Sequence, residues 1–228
     1  MNKRIFSTEL AYVLGILILA LATALMTLAD FGLSMVVAPA YLLHLKVSQT
    51  LPFFTFGMAE YMLQAVLLVL MALLMRRFKL GYLFSFGTAV LYGLALDGAL
   101  WLTAPLAAAS FAWRVVYFTL GMVLGSFSIS LIFHTYIAPE VYELFVKEVS
   151  GKTGVDIHRF KTGYDCVSCL ISIILSFAFF GLWHFEGVGV GTVITALVNG
   201  KLIGLCTREL EKHFSFQDTF RLRHYFEK

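Results

Sequence analysis

The chain has 228 residues, of which 60% are hydrophobic and only 14% charged, where an ordinary soluble domain carries roughly 25% charged residues. That much apolar side chain exceeds what one water-soluble core hides; the 22 Phe and 10 Tyr exclude a disordered chain, and continuous rather than alternating apolar runs exclude a membrane β-barrel. A net charge of +3, dispersed along the chain, argues against nucleic acid as a partner.

The amino terminus, MNKRIFSTEL, is a basic start followed by an apolar run to Ala29. At about 20 residues this run is longer than the roughly 7 to 15 of a signal-peptide core, so it is expected to be a retained first span. Residues 10–29, 80–96, 115–139 and 166–185 carry no Asp, Glu, Lys or Arg. Apolar stretches of this length match the hydrocarbon thickness of a bilayer. Six spans are expected, at residues 9–29, 53–75, 80–103, 113–136, 163–183 and 187–206. The fold class expected is therefore all-α, a polytopic helical membrane protein.

Two apolar stretches are too short to cross: residues 32–45, containing SMVVAPAYLLHL, and residues 139–149. Both are expected to be helices that lie on the bilayer or partly enter it. In the second, Pro139 suits the first helical turn, and Glu140 and Glu143 suit the positive end of the helix dipole. Its residues Val141, Leu144, Phe145 and Val149 form an apolar face opposite Glu143, Lys147 and Glu148, which favours an interfacial position. After the last span, residues 207–228 mix basic and aromatic side chains and are expected to form a cytoplasmic amphipathic helix.

With the amino terminus inside, 14 basic residues fall in inner segments (Lys3, Arg4, Arg76, Arg77, Lys79, Lys147, Lys152, Arg159, Lys161, Arg208, Lys212, Arg221, Arg223, Lys228) and 2 in outer ones, Lys46 and Arg114. The positive-inside rule then predicts both termini in the cytoplasm and an even number of spans.

The halves resemble each other at an offset of 104 to 106: YVLG at 12–15 with FTLG at 118–121, Lys46 with Lys152, Gly57 with Gly163, and FGT at 86–88 with VGT at 190–192. Each half reads as span, short helix, span, tight turn, span. Three spans are an odd number, so the second repeat is expected to be inverted in the membrane. The expected division is 1–110, 111–206 and the tail 207–228.

Ionisable residues inside spans are costly in lipid and mark functional positions. Glu60, Asp97, Asp165 and Lys201 meet that description. Glu60 has no basic neighbour in sequence and is the first candidate for a substrate or proton group. Asp97 and Lys201 are equivalent under the repeat but differ in depth by roughly 10 Å at 1.5 Å per residue, so they are not expected to pair. Lys201 is expected to snorkel inward. Thr88, Thr192 and Asn199 are polar groups on spans able to face a cavity. The glycine run GVGVGT at 187–192 permits close helix packing or presents N–H groups to an anion, and no GK[ST] follows it. Cys166 and Cys169 form a lone CxxC, expected to be packing residues, since neither a second pair nor histidines stand at ligand spacing. No HExxH, GxSxG or GxGD appears, so an intramembrane protease is not expected.

The stretch from IAPEVYELF at 137–145 through GVGVGTV at 187–193, together with TLADFGLS at 27–34, resembles the YczE group of bacterial membrane proteins, related in turn to the YitT membrane family. The shared pattern is a short Gly/Pro-led helix, a basic stretch before the next span, and a glycine run ending GTV before a final span. Met35, Val36 and Val37 stand where that group tends to show Pro and Asp, and Glu140 and Val141 where a basic residue and Asp are usual. The resemblance implies a bacterial inner-membrane protein of transport-related function and carries over no catalytic residue.

The expectation is thus a non-enzymatic, cofactor-free and metal-free transporter for a small solute, alternating between two inverted repeats. Its site is expected to draw on the short helices, Glu60, Thr88, Thr192, Asn199, Ser34 and Asp97. The alternatives are a substrate-capture subunit of a larger transporter, with Ala20 and Ala24 as a small-residue docking patch, or a non-transporting assembly or regulatory membrane protein. A homodimer or a partner transport subunit is compatible with each.

Overall fold

The computed structural model describes residues 4–76, 78–79, 81–106, 110–155, 157–182 and 186–220. Lys3, Arg77, Arg221, Arg223 and Lys228, and the expected span limits at Leu80 and Trp183, lie outside them. In chain order the α-helices are α1 (Thr8–Ala29), α2 (Ala38–Val47), α3 (Phe56–Met75), α4 (Gly81–Thr103), α5 (Phe111–Phe133), α6 (Val141–Thr153), α7 (Ile157–Phe180) and α8 (Val190–His213). Six of them, α1, α3, α4, α5, α7 and α8, are long and apolar enough to cross a membrane. The span count and the helical class therefore agree with the sequence expectation.

Local chemistry sets the helix ends. Ser7 caps α1 by accepting from Leu10 N, and Thr55 caps α3 by accepting from Met58 N, each satisfying one of the orphan donors of a first turn. α1 and α3 stop at Asp30 and Arg76, both in the left-handed conformation. That conformation ends a helix by redirecting the chain.

The centre of the bundle is the α1–α5 pair, the most extensive helix contact in the fold. Two glycines permit this approach. A Cβ on Gly15 would come within 2.6 Å of Ile132 Cγ1, and one on Gly121 within 2.7 Å of Met26 Cγ and 2.8 Å of Ala22 O. Ser128 Oγ also donates to Gly15 O at 2.6 Å across this interface. α4 flanks α1 and carries α3 on its other side, and α8 flanks α5.

The short helices cross between the halves. α2 packs on α3 and α7, and α6 packs on α3 and α7. α3 and α4 are tightly joined, whereas α7 and α8 make no substantial contact with each other. Lipid-facing leucine, valine and isoleucine side chains accordingly dominate the open sides of α7 and α8, with Leu170, Ile174, Val193 and Leu197 all exposed.

α6 does not lie across the end of the bundle. Its first residue, Val141, donates to Gln64 of α3, while Lys152 near its end donates to Leu74 O, at the end of α3. Residues 141–152 of α6 thus run alongside 64–74 of α3, so the two helices lie side by side and the start of α6 is level with the middle of α3. Its buried face is thus used within the bundle, against α3 and α7. One face of its amphipathic pattern is buried, at Val141, Tyr142, Val146, Val149 and Ser150, while on the other Lys147 stays exposed and Glu148 pairs with Lys79 at 2.9 Å.

Four further expectations change. Residues 32–37 are irregular, and helix α2 starts only at Ala38. Gly32, at φ +99°, turns the chain so that Leu33 N donates to Gly187 O. Pro139 lies just outside α6, with Glu140 at the N-cap. The tail is not a separate helix over its described part: α8 continues to His213, and Phe214–Gln217 form a strand, β2, parallel to an amino-terminal strand, β1 (Arg4–Ser7). Phe6 packs edge-on against Phe214 and Phe216, and Glu9 accepts from Tyr136, Thr219 N and Phe220 N. This clasp places the ends of β1 and β2 at the same end of the bundle. Ala20 and Ala24 are 1% and 0% exposed, so they are interior packing residues and offer no docking patch.

Candidate functional site

The fullest concentration of buried polar groups lies where α6 enters against α3 and α4. Glu60 and Gln64, one helical turn apart on α3, are both 0% exposed. Spacing of i and i+4 puts them on one face, and α6 covers that face. Tyr142 donates through its hydroxyl to Glu60 Oε2 at 3.0 Å. Gln64 Nε2 donates to Glu140 Oε2 at 2.9 Å, while Gln64 Oε1 accepts from Val141 N at 3.0 Å. Gln64 therefore satisfies both the N-cap carboxyl and an orphan amide of α6.

From α4, Thr88 donates to Ala138 O at 2.9 Å and accepts from Tyr12 of α1 at 2.7 Å. One turn along, Tyr92 and Thr23 share a hydrogen bond at 2.9 Å. The seam thus ties α1, α3, α4 and α6 together through side chains. Three of its buried oxygens have no hydrogen-bond partner: Glu60 Oε1, Glu140 Oε1 and Ser85 Oγ. The ion pairs of the described residues involving Lys or Arg lie elsewhere, at Lys79–Glu148, Arg114–Asp30, Lys161–Asp165 and Lys212–Glu209. Two buried carboxyls without a cationic partner are expensive in a low-dielectric interior, and such groups persist where they hold something.

The six residues singled out from sequence do not converge on one place. Glu60 and Thr88 both belong to this seam. Asp97, on α4, is engaged at the start of α3, accepting from Thr55 Oγ1 at 2.6 Å and Gly57 N at 2.8 Å. Thr192 caps α8 by accepting from Gly189 N, and Asn199 accepts from Ser126 of α5 at 2.7 Å. Ser34 is partly buried and its carbonyl starts the turn into α2. Lys201 is exposed on α8, away from Asp97's partners. The glycine run packs rather than binds: Gly191 N donates to Phe31 O and Gly187 O accepts from Leu33 N. Cys166, Cys169 and Cys206 are free thiols, and no cluster of three or more His, Cys, Asp or Glu able to hold a metal occurs among the described residues.

Gln64, Glu140, Tyr142, Tyr92 and Ser85 were not anticipated as members of a site. Gln64 had a local signal, its i+4 spacing from Glu60. Glu140 and Tyr142 lie 76 and 82 residues on from their partners, and only the course of α6 alongside α3 brings them to Gln64 and Glu60.

No curated protein and no solved structure matches the chain. One family profile matches residues 6–208, nearly the whole length, and the chain belongs to that family, described as a family of unknown function (DUF6198).

Proposed function

We propose that this protein is a multi-pass permease for a small solute, built from two inverted three-span repeats and alternating access between them. The observation that carries the reading is a reciprocity at the bundle centre. Gly15 of α1 packs on Ile132 and Ser128 O of α5, and Gly121 of α5 packs on Met26 and Ala22 O of α1. Each residue in the first set equals its counterpart in the second plus or minus 106, the offset of the sequence repeat. A two-fold axis lying in the membrane plane produces that exchange.

The contacts around the axis support the same relation. α1 with α4 matches α5 with α8, and α2 on α7 matches α6 on α3. The pair that breaks the match is informative: α3 packs on α4, with Gly57 against Gly93, while Gly163, the equivalent of Gly57, has open space around it. Two repeats of one design held in different arrangements are what alternation requires, since exchanging the arrangements reverses the side of access.

The seam at Glu60 and Thr88 lies beside the helix that only one half has in this polar form. The equivalents of Glu60, Gln64 and Glu140 under the offset are Cys166, Leu170 and Ser34. The working site is therefore one-sided, with Glu60 as its acid. The finer placement, in the inner membrane of a bacterium with both termini in the cytoplasm, rests on the basic-residue asymmetry and the resemblance to the YczE and YitT proteins. The clasp of β1 and β2 supports the even span number.

The test is flux. Purified protein in liposomes, offered a mixed metabolite pool, accumulates or releases a particular solute, and Glu60→Gln abolishes that movement while preserving yield. No solute moved by the wild type, or a co-purified ATPase module required for all movement, overturns the reading.

A further inference from the structure

We propose that Glu60 and Glu140 form a proton-binding pair that holds one exchangeable proton, carried on Glu60 and released only when α6 moves off α3. The two carboxyls are 0% and 6% exposed. Each uses one oxygen and leaves the other, Oε1, buried with no partner. The donors built around them differ in kind. Glu140 sits at the N-cap of α6, where the helix dipole and Gln64 Nε2 stabilise a negative charge. Glu60 lies within α3, about one turn from its start, and accepts from the Tyr142 hydroxyl on Oε2. Two negative charges sharing such a seam repel each other, so one carboxyl carries a proton. Oε1 is unpartnered on both, so the assignment to Glu60 rests on place: Glu140 stands at the positive end of the α6 dipole, while Glu60 faces the neutral hydroxyl of Tyr142.

The ionisable groups near enough to influence the pair are Tyr12 of α1, Tyr92 of α4, Tyr142 and Glu143 of α6, and Tyr164 of α7. None is a cation, and Glu143 adds a third acid. Of the cations on the neighbouring segments, Lys79 is engaged with Glu148 and Lys161 with Asp165, while Lys147 of α6 is exposed. A proton is also the one positive charge this closed seam holds without a cavity around it, because α3 and α6 meet directly through Gln64. Its entry and loss need the hydrogen bonds between α6 and α3 to open, which makes the proton a natural coupling ion. That coupling role rests on the permease reading; the proton site does not.

The experiment is infrared difference spectroscopy of the full chain in lipid, titrated with acid and base and with no solute present. The wild type is expected to show the carbonyl band of a protonated carboxyl at neutral pH, shifted in heavy water. Glu60→Gln removes the band and Glu140→Gln keeps it. Tyr142→Phe, which removes the donor to Oε2, moves the band without abolishing it, and this carries the test should Glu60→Gln fold poorly. Absence of the band in the wild type, or a band untouched by both Glu60→Gln and Tyr142→Phe, overturns the proposal. A band in a protein that moves no solute supports the proton site and counts against the permease alone; solute flux with no band counts against the proton site alone.

Discussion

Replacing Gln64 with Leu tests the seam most directly, because a side chain of similar size takes its place and two specific bonds disappear. The amide donates to Glu140 Oε2 and accepts from Val141 N. Hydrogen bonds between helices in a membrane are worth about 0.6 kcal/mol on average and up to about 1.7. Two of them amount to about 1 to 3 kcal/mol. Leaving a carboxyl oxygen and an amide unsatisfied in a sealed place pushes toward the upper end, and the apolar surface gained by Leu offsets part of it. A loss of about 2 kcal/mol, roughly a thirty-fold change in the folding equilibrium, is the expected outcome in reversible unfolding from mixed micelles. Hydrogen exchange should localise it: the Val141 amide and the first turn of α6 exchange faster, while α1 and α5 are unchanged. A cost below about 0.5 kcal/mol with unaltered exchange at Val141 would refute the claim that Gln64 holds the start of α6 against α3.

Two other outcomes follow from the fold. In a background lacking Cys166, Cys169 and Cys206, a cysteine at Ser110 should react with a membrane-impermeant thiol reagent from outside, and one at Lys152 or Lys212 only from inside; outside labelling at Lys212 would reject the six-span topology. Deleting Phe214 to Lys228 removes β2, both aromatic partners of Phe6 and the backbone donors to Glu9. Thermal unfolding in detergent should then occur several degrees lower, as expected for a loss of a few kcal/mol, and an unchanged transition would show that the clasp is unimportant to stability.

What was legible in the chain is the part encoded along one dimension. A span is a length of apolar sequence, so all six could be located, with limits mostly within a few residues of α1, α3, α4, α5, α7 and α8. Gly15 and Gly121, both read from sequence, stand at close contacts of the α1–α5 pair. The seam was not legible, since the bonds between α3 and α6 join residues 76 to 82 apart in sequence and form only through the course of α6. An amphipathic pattern cannot distinguish a helix lying on a membrane from one inserted beside another helix, because both bury one face. Thr192 and Asn199 illustrate the opposite: a polar residue on a span finds a partner as readily in a cap or a neighbouring serine as in a ligand. Within the described part of the tail, Phe214–Gln217 is a strand because it pairs with Arg4–Ser7.

The sharpest separation of an alternating permease from an inert duplicated bundle lies in Gly57 and Gly163, equivalent positions with opposite surroundings. A Cβ on Gly57 would run into the Gly93 carbonyl and approach Asp97 Oδ2 to 2.7 Å, whereas nothing lies within 4 Å of one on Gly163. Gly57→Ala therefore penalises the packed α3–α4 arrangement by about 1 to 3 kcal/mol, enough to raise a competing state roughly five-fold to more than a hundred-fold. In an alternating protein that competitor has α3 and α4 parted and α7 and α8 closed. Spin labels at Val167 and Leu197, both exposed on the parted pair, should then gain a shorter distance in lipid nanodiscs. Gly163→Leu costs little by itself, because its surroundings are open in the arrangement seen, but it obstructs the closed form of α7 and α8. Added to Gly57→Ala, it should remove the shorter distance and leave a protein that is simply less stable. If Gly57→Ala lowers stability with no change between α7 and α8, the two halves are not coupled, and the repeat has built a bundle rather than a machine.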